Sequence, residues 1–280
     1  MRALVVNADD FGFTPDVNEG IIRAHRDGIL TATTLMANGD AFEDAVRLAD
    51  ENPQLDIGVH LQMVQGKSLS QPERPLPQTV TVLMGELMAK RWDVYRELRA
   101  QVERILAAGI TPTHLDTHKH THLLPPVLDA VARLSEDFRI SWVRRPFDLP
   151  MPGNAGGFKT RVAALVMRQM RLHFRRVLLR HHAKYTDHFA GFVWTGNYSA
   201  DDLLRLFAVL PEGSTEFMAH PGVLGPDLAG AETRLKESRA EELKALTDPR
   251  LRPALAAAGI ELGGYRMLER MRQANQKTGA

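Results

Sequence analysis

Four histidines and one aspartate fall within the nine residues His114-Leu115-Asp116-Thr117-His118-Lys119-His120-Thr121-His122, in a chain that has no cysteine. Neutral imidazoles with a carboxylate are the donors that borderline divalent ions such as zinc take where no thiolate is offered. Histidines 118, 120 and 122 alternate with other residues, as in an extended segment, and Leu123-Leu124-Pro125-Pro126-Val127-Leu128 then opens a helix. Asp9 and Asp10 form a second candidate group directly after the apolar run Ala3-Leu4-Val5-Val6-Asn7-Ala8. Adjacent carboxylates at the end of a buried strand are costly to desolvate unless a positive group lies beside them. His60, Arg144 and His220 are single candidates, each where a run of strand-forming residues stops.

The elements that must carry these residues alternate. Strands are expected over 3–8, 31–36, 56–60, 113–117, 140–144, 187–193, 215–219 and around 259–262. Helices are expected over about 17–27, 40–51, 92–108, 124–136, from 199, near 232–246 and 249–258, and at the C-terminus. Residues 62–85, with Pro72, Pro75 and Pro77, read as a long loop fit to wall a pocket. Strand-helix repetition implies a parallel sheet. Seven or eight such units in 280 residues favour an α/β (β/α) barrel, closed but irregular, with an open doubly wound sheet as the alternative. No glycine-rich phosphate loop follows the first strand to support that alternative. In a barrel the site forms at the C-terminal ends of the strands, and every candidate above falls on such an end.

The regularity breaks at about 147–185. A flexible link, Pro150 to Gly157, precedes a helix with Val162, Leu165, Val166, Met170, Phe174, Val177 and Leu178 on one stripe. Eight Lys or Arg and no acid lie between Gly156 and Tyr185. A basic amphipathic helix of this kind suits a solvated basic face, peripheral contact with an anionic membrane, or a homodimer interface. The whole of 1–280 is otherwise read as one barrel domain with this segment inserted. With 35 basic and 34 acidic residues, bulk charge points to no nucleic-acid partner. The N-terminus reaches Asn7-Ala8-Asp9-Asp10 too early for a secretory signal, and no apolar run approaches the ~18 residues of a membrane span. A soluble, cytoplasmic protein is therefore expected.

One carboxylate and two imidazoles from different strand ends could hold a catalytic ion with a position left open. A second carboxylate beside it could serve as general base, and His220, on a remote strand end, as general acid. Those parts suit amide or ester hydrolysis. A phosphoesterase with two or three ions, drawing on His114, Asp116, His120 and His122, and a non-catalytic sugar- or metal-binding protein are the competing readings.

Asn7-Ala8-Asp9-Asp10-Phe11-Gly12, Gly58-Val59-His60-Leu61, the 113–122 stretch and Ala219-His220-Pro221 together resemble the motifs of the YdjC-like carbohydrate deacetylases. That family includes chitooligosaccharide deacetylases and a hopanoid-biosynthesis-associated branch, which Thr186-Asp187-His188-Phe189 loosely resembles. The resemblance implies a distorted TIM-like barrel of about seven parallel strands that removes acetyl from an N-acetylated sugar with one divalent ion. Zinc is the expected ion, with Mg, Co or Ni as alternatives. It implies Asp10, His60 and His118 as ligands, Asp9 as base, and His220 as acid or substrate contact. Arg144 and His122 would orient groups or bind substrate, and His120 would join His122 in the pocket wall.

Overall fold

A computed structural model describes residues 1–149 and 158–278. Among these described residues eight parallel strands build one curled sheet: β1 (Arg2–Phe11), β2 (Ala32–Leu35), β3 (Asp56–Leu61), β4 (His114–Thr117), β5 (Trp142–Val143), β6 (His188–Ala190), β7 (Gly213–Ala219) and β8 (Ile260–Leu262). Seven follow the path β5-β4-β3-β2-β1-β7-β6, and β8 pairs with β1. β2 pairs with β1 only from Asn7 onward, which leaves the edge at Arg2–Leu4 for β8. Between β5 and β6 the barrel is held by two single bridges, Trp142 to Lys184 and Asp148 to Phe189. The distorted α/β barrel expected from the sequence is thus present, with its seam where the inserted segment lies.

β1 is buried along nearly its whole length, as a strand covered on both faces must be. Its even residues Leu4, Val6 and Ala8 join the main core. Ala3 and Val5 meet Ala32, Trp142, Tyr265, Met267 and Leu268 in a separate cluster, to which the C-terminal helix (Tyr265–Thr278) contributes. Above it the Tyr265 ring stacks on His114 at 3.9 Å between centroids. Gly58 makes room for that imidazole, since a Cβ there would lie 2.5 Å from the ring.

Three local expectations change. After Thr117 the chain leaves the strand for a 3₁₀ turn, His118–Leu123, with Lys119 and His120 at φ +53° and +50°. Within the 62–85 loop, Thr79 caps a helix (Val80–Met88) by accepting from the Val82 amide. That helix has a single buried residue, Leu83, so no apolar stripe announced it. The fifth strand shrinks to two residues because the sheet pairs it with β4 only at Trp142 and Val143. The link expected at 150–157 lies outside the described residues. The helix after it (Phe158–Arg180) buries Phe174, Val177 and Leu178. No helix among the described residues is long and apolar enough to cross a membrane.

Candidate metal and catalytic centre

The centre begins with a fault in β1. Ala8 pairs with Thr33 and Phe11 with Leu35, so β1 spends three steps where β2 spends two. The extra residue is a β-bulge, and Asp10 sits in it at φ +70°. Alternation would send neighbouring side chains to opposite faces. The bulge cancels it, and both carboxylates line the same cavity of about 460 Å³. Aspartate is among the few residue types that tolerate a left-handed backbone.

Asp10 meets two histidines from other strand ends. Its Oδ1 lies 3.1 Å from His118 Nδ1 and 3.3 Å from His60 Nε2, and those nitrogens are 3.3 Å apart. Ligand atoms 2.0–2.1 Å from a tetrahedral centre sit roughly 3.3–3.4 Å from one another, so this triangle has the dimensions of one face of such a site. The tautomer also fits. In register across β3 and β4, Asp116 stands beside His60 and takes its Nδ1 at 2.7 Å, which leaves the Nε2 lone pair for the triangle. Thr34 Oγ1 donates to Asp116 at 3.1 Å and steadies it.

Arg144, fully buried just after β5, organises the other half. It donates through Nη1 and Nη2 to the two oxygens of Asp9 at 2.7 and 2.6 Å, and through Nε to Glu216 at 2.7 Å. Nη1 also lies 2.7 Å from Asp116. Asp9, His60 and Asp116 likewise come close enough to share an ion, but this guanidinium already supplies the positive charge there. His220 follows β7, lines the cavity, and brings Nε2 to 3.8 Å from Asp9, while its Nδ1 has no partner among the described residues. Its backbone N–H donates to Glu242, which also accepts from the Tyr198 hydroxyl and the Gly196 amide.

Charge at the centre is unbalanced. Four buried carboxylates, Asp9, Asp10, Asp116 and Glu216, face two buried guanidiniums, Arg144 and Arg239. Burial alone would raise Asp9 and Asp10, but Arg144 beside the first and Arg239 beside the second hold both below the usual carboxylate range. Burial keeps Glu216 above its ordinary value despite Arg144. Burial also opposes charge on His60, yet Asp116, Asp10 and Asp9 outweigh it and push the imidazole up to about 10. A donor set that pulls a proton this strongly onto one of its imidazoles is one that a divalent cation would satisfy instead.

The remaining expected residues divide. His120 lines the cavity, buried and kept neutral by burial and by Arg144. His122 does not line it: Nδ1 meets Thr117 Oγ1 at 2.5 Å and Nε2 the Arg144 carbonyl at 3.2 Å, so it braces the wall from behind. His114 bonds Asn7 below the site at 2.9 Å. Of the residues that a second ion would need, His114, Asp116 and His122 are thus engaged elsewhere. Three contributors were missed by sequence reasoning. Arg239, on the helix Glu237–Leu246, donates to Asp10 Oδ2. Gln65 Oε1 lies 3.3 Å from His118 Nε2. Glu216 carried one signal, a lone acid inside the apolar run 215–219; Arg239 and Gln65 carried none.

With this geometry in view, a family model described as YdjC-like protein matches residues 3–257. A carbohydrate deacetylase of Geobacillus stearothermophilus is 34% identical over 272 residues, covering 95% of this chain and 97% of that one. Another from Vibrio parahaemolyticus is 32% identical over 272 residues, covering 95% and 96%. Among solved structures, a putative cellobiose-phosphate cleavage protein from Enterococcus faecalis superposes with a TM-score of 0.73 at 24% identity, covering 95% of this chain and 98% of that one. That last likeness speaks for the fold.

Proposed function

The chain belongs to the YdjC-like protein family, and from that premise we propose that it is a metal-dependent deacetylase that cleaves the acetamido group of an N-acetylated sugar to acetate and a free amine. The observation that carries this reading is a bulge that sets Asp9, anchored by Arg144, beside the Asp10–His60–His118 triangle at one cavity. The full-length relatives named carbohydrate deacetylase support the substrate class.

Asp10, His60 and His118 would hold the ion, with zinc favoured by a donor set of one carboxylate and two imidazoles. A bound divalent ion there supplies Lewis-acid polarisation of the acetyl carbonyl and makes water a competent nucleophile near neutral pH. Asp9 would take the proton that the attacking water gives up. Arg144 keeps that carboxylate ionised and aimed; Asn7 Nδ2 gives Oδ1 a second bond at 3.3 Å, so Oδ2, on the side of His220, is the oxygen left to accept. As the C–N bond breaks, the departing nitrogen needs a proton, which His220 Nε2 would give from the cavity wall. His60 is not free for this role, since Asp116 fixes its tautomer. Against phosphoester cleavage by a two-ion centre, three of the four residues a second ion would draw on, Asp116, His114 and His122, hold Arg144, Asn7 and Thr117 instead, and His120 is the one that faces the cavity.

The test is a panel of N-acetylglucosamine-containing sugars alongside sugar phosphates, followed by proton NMR. Acetate and free amine in equal amounts, with phosphate esters intact, is the expected result. Phosphate release without acetate would replace this reading with the phosphoesterase one.

A further inference from the structure

Phe192 is a large apolar side chain left 52% exposed at the wall of the same cavity. Single exposed apolar residues are ordinary on a surface, but this one is mounted. Both oxygens of Asp148 are spent on its loop: Oδ1 accepts from the Phe192 amide at 3.1 Å and Oδ2 from the Val193 amide at 2.8 Å. Thr195 Oγ1 donates back to the carbonyls of Gly191 and Phe192. Gly191, at φ +114°, presses against β7 so closely that a Cβ would lie 2.4 Å from the Met218 carbonyl. Farther along, Gly196 and Tyr198 are tied to Glu242, the carboxylate that also holds the His220 amide. The edge of the ring meets the His120 imidazole at 5.0 Å and 64° between planes. The loop is thus clamped at both ends, with the ring held between the histidine wall and open solvent.

We infer that Phe192 is a stacking platform for the apolar C–H face of a substrate pyranose ring, with Asp148 as its positioning residue. A pyranose carries hydroxyls around its rim and C–H groups on its faces, so it fits a cavity with a fixed aromatic on one wall. The same cavity is also lined by Lys119, Glu232, Thr233 and Arg234, whose polar groups can meet those hydroxyls. A rigid aromatic gives contact area at little entropic cost. This inference rests on the proposed sugar substrate and specifies how that sugar is gripped.

Two measurements on the full-length, zinc-loaded protein separate its fate from that of the reaction. Calorimetry with the amine product, a glucosamine disaccharide, reads binding alone. Phe192→Ala should weaken the dissociation constant roughly tenfold, and Phe192→Trp should restore it to within about twofold. Asp148→Ala should weaken it by a similar factor while leaving kcat for acetate release near the wild-type value. Acetate release from the N-acetylated disaccharide reads catalysis, where Phe192→Ala should raise KM and spare kcat. Equal dissociation constants for wild type and Phe192→Ala, or no binding by the wild type, would overturn the platform. A wild type that binds the sugar in a Phe192-dependent way yet releases no acetate would keep the platform and remove the deacetylase reading.

Discussion

Asp9 and Asp10 are neighbours in the chain, yet their carboxylates do separate jobs in one cavity: Asp9 is gripped by Arg144, and Asp10 faces His60 and His118. The β-bulge at φ +70° makes this possible. Asp10→Asn tolerates the same backbone and still offers Arg239 an acceptor, but it removes the charge that a cation would see. Its fold should survive, as read by circular dichroism, while zinc retained after dialysis should fall to a small fraction of one equivalent. Full retention of zinc would move the ion away from Asp10.

Arg144 compensates three buried acids at once. Arg144→Met would leave Asp9, Asp116 and Glu216 close together without a cation, and breaking a buried ion network in this way costs about 3–5 kcal/mol. Arg144→Lys should recover little of that, since an ammonium cannot reproduce the fork that spans both Asp9 oxygens. Urea denaturation of the three proteins provides the measurement.

Asp116 acts through His60. Asp116→Asn removes the carboxylate that selects the Nδ1–H tautomer, and zinc affinity should drop by about 10- to 100-fold. Competition with a chromophoric chelator reads the shift. The same variant should keep Asp9 bound to Arg144, so loss of affinity without loss of folding distinguishes tautomer control from collapse of the centre.

The histidines give the metal-free protein a two-sided pH profile. His60 is raised from its ordinary 6.5 to about 10, so its contribution is complete below 6.5 and is lost as pH climbs toward 10. His122 is lowered to about 3 by burial and by Arg144, so its contribution is complete above 6.5 and is lost as pH falls. Stability measured by denaturant titration should therefore decline on both sides of neutrality. His60→Gln should flatten the alkaline limb, and zinc should do the same in the wild type, because the ion binds the deprotonated ring.

Much of this centre could be read from spacing alone, because strand-helix alternation turns strand ends into neighbours. Asp9, Asp10, His60, His118, Arg144 and His220 all come from such ends, and all lie at the centre. Residues that reach the site another way were hidden. Arg239 arrives from a helix 229 positions beyond Asp10, and nothing in its local pattern marks it. His118, His120 and His122 looked extended by their alternation, but left-handed Lys119 and His120 fold the segment into a 3₁₀ turn. That turn sends His120 to the cavity and His122 behind it, a distinction that period-two spacing cannot encode. The helix Val80–Met88 escaped notice because it is anchored by a Thr79 cap and one buried leucine rather than by an apolar stripe.

The most direct test of the central claim compares acetate release by the stripped protein, the zinc-reconstituted protein and zinc-reconstituted Asp9→Asn, on the N-acetylated sugar the wild type uses best. Asparagine keeps the shape of Asp9 but cannot take a proton, so kcat should fall by about 10²- to 10⁴-fold while zinc content stays at one equivalent. The stripped protein should be inactive until zinc is returned. Acetate released at the wild-type rate by Asp9→Asn, or by protein free of metal, would contradict the account.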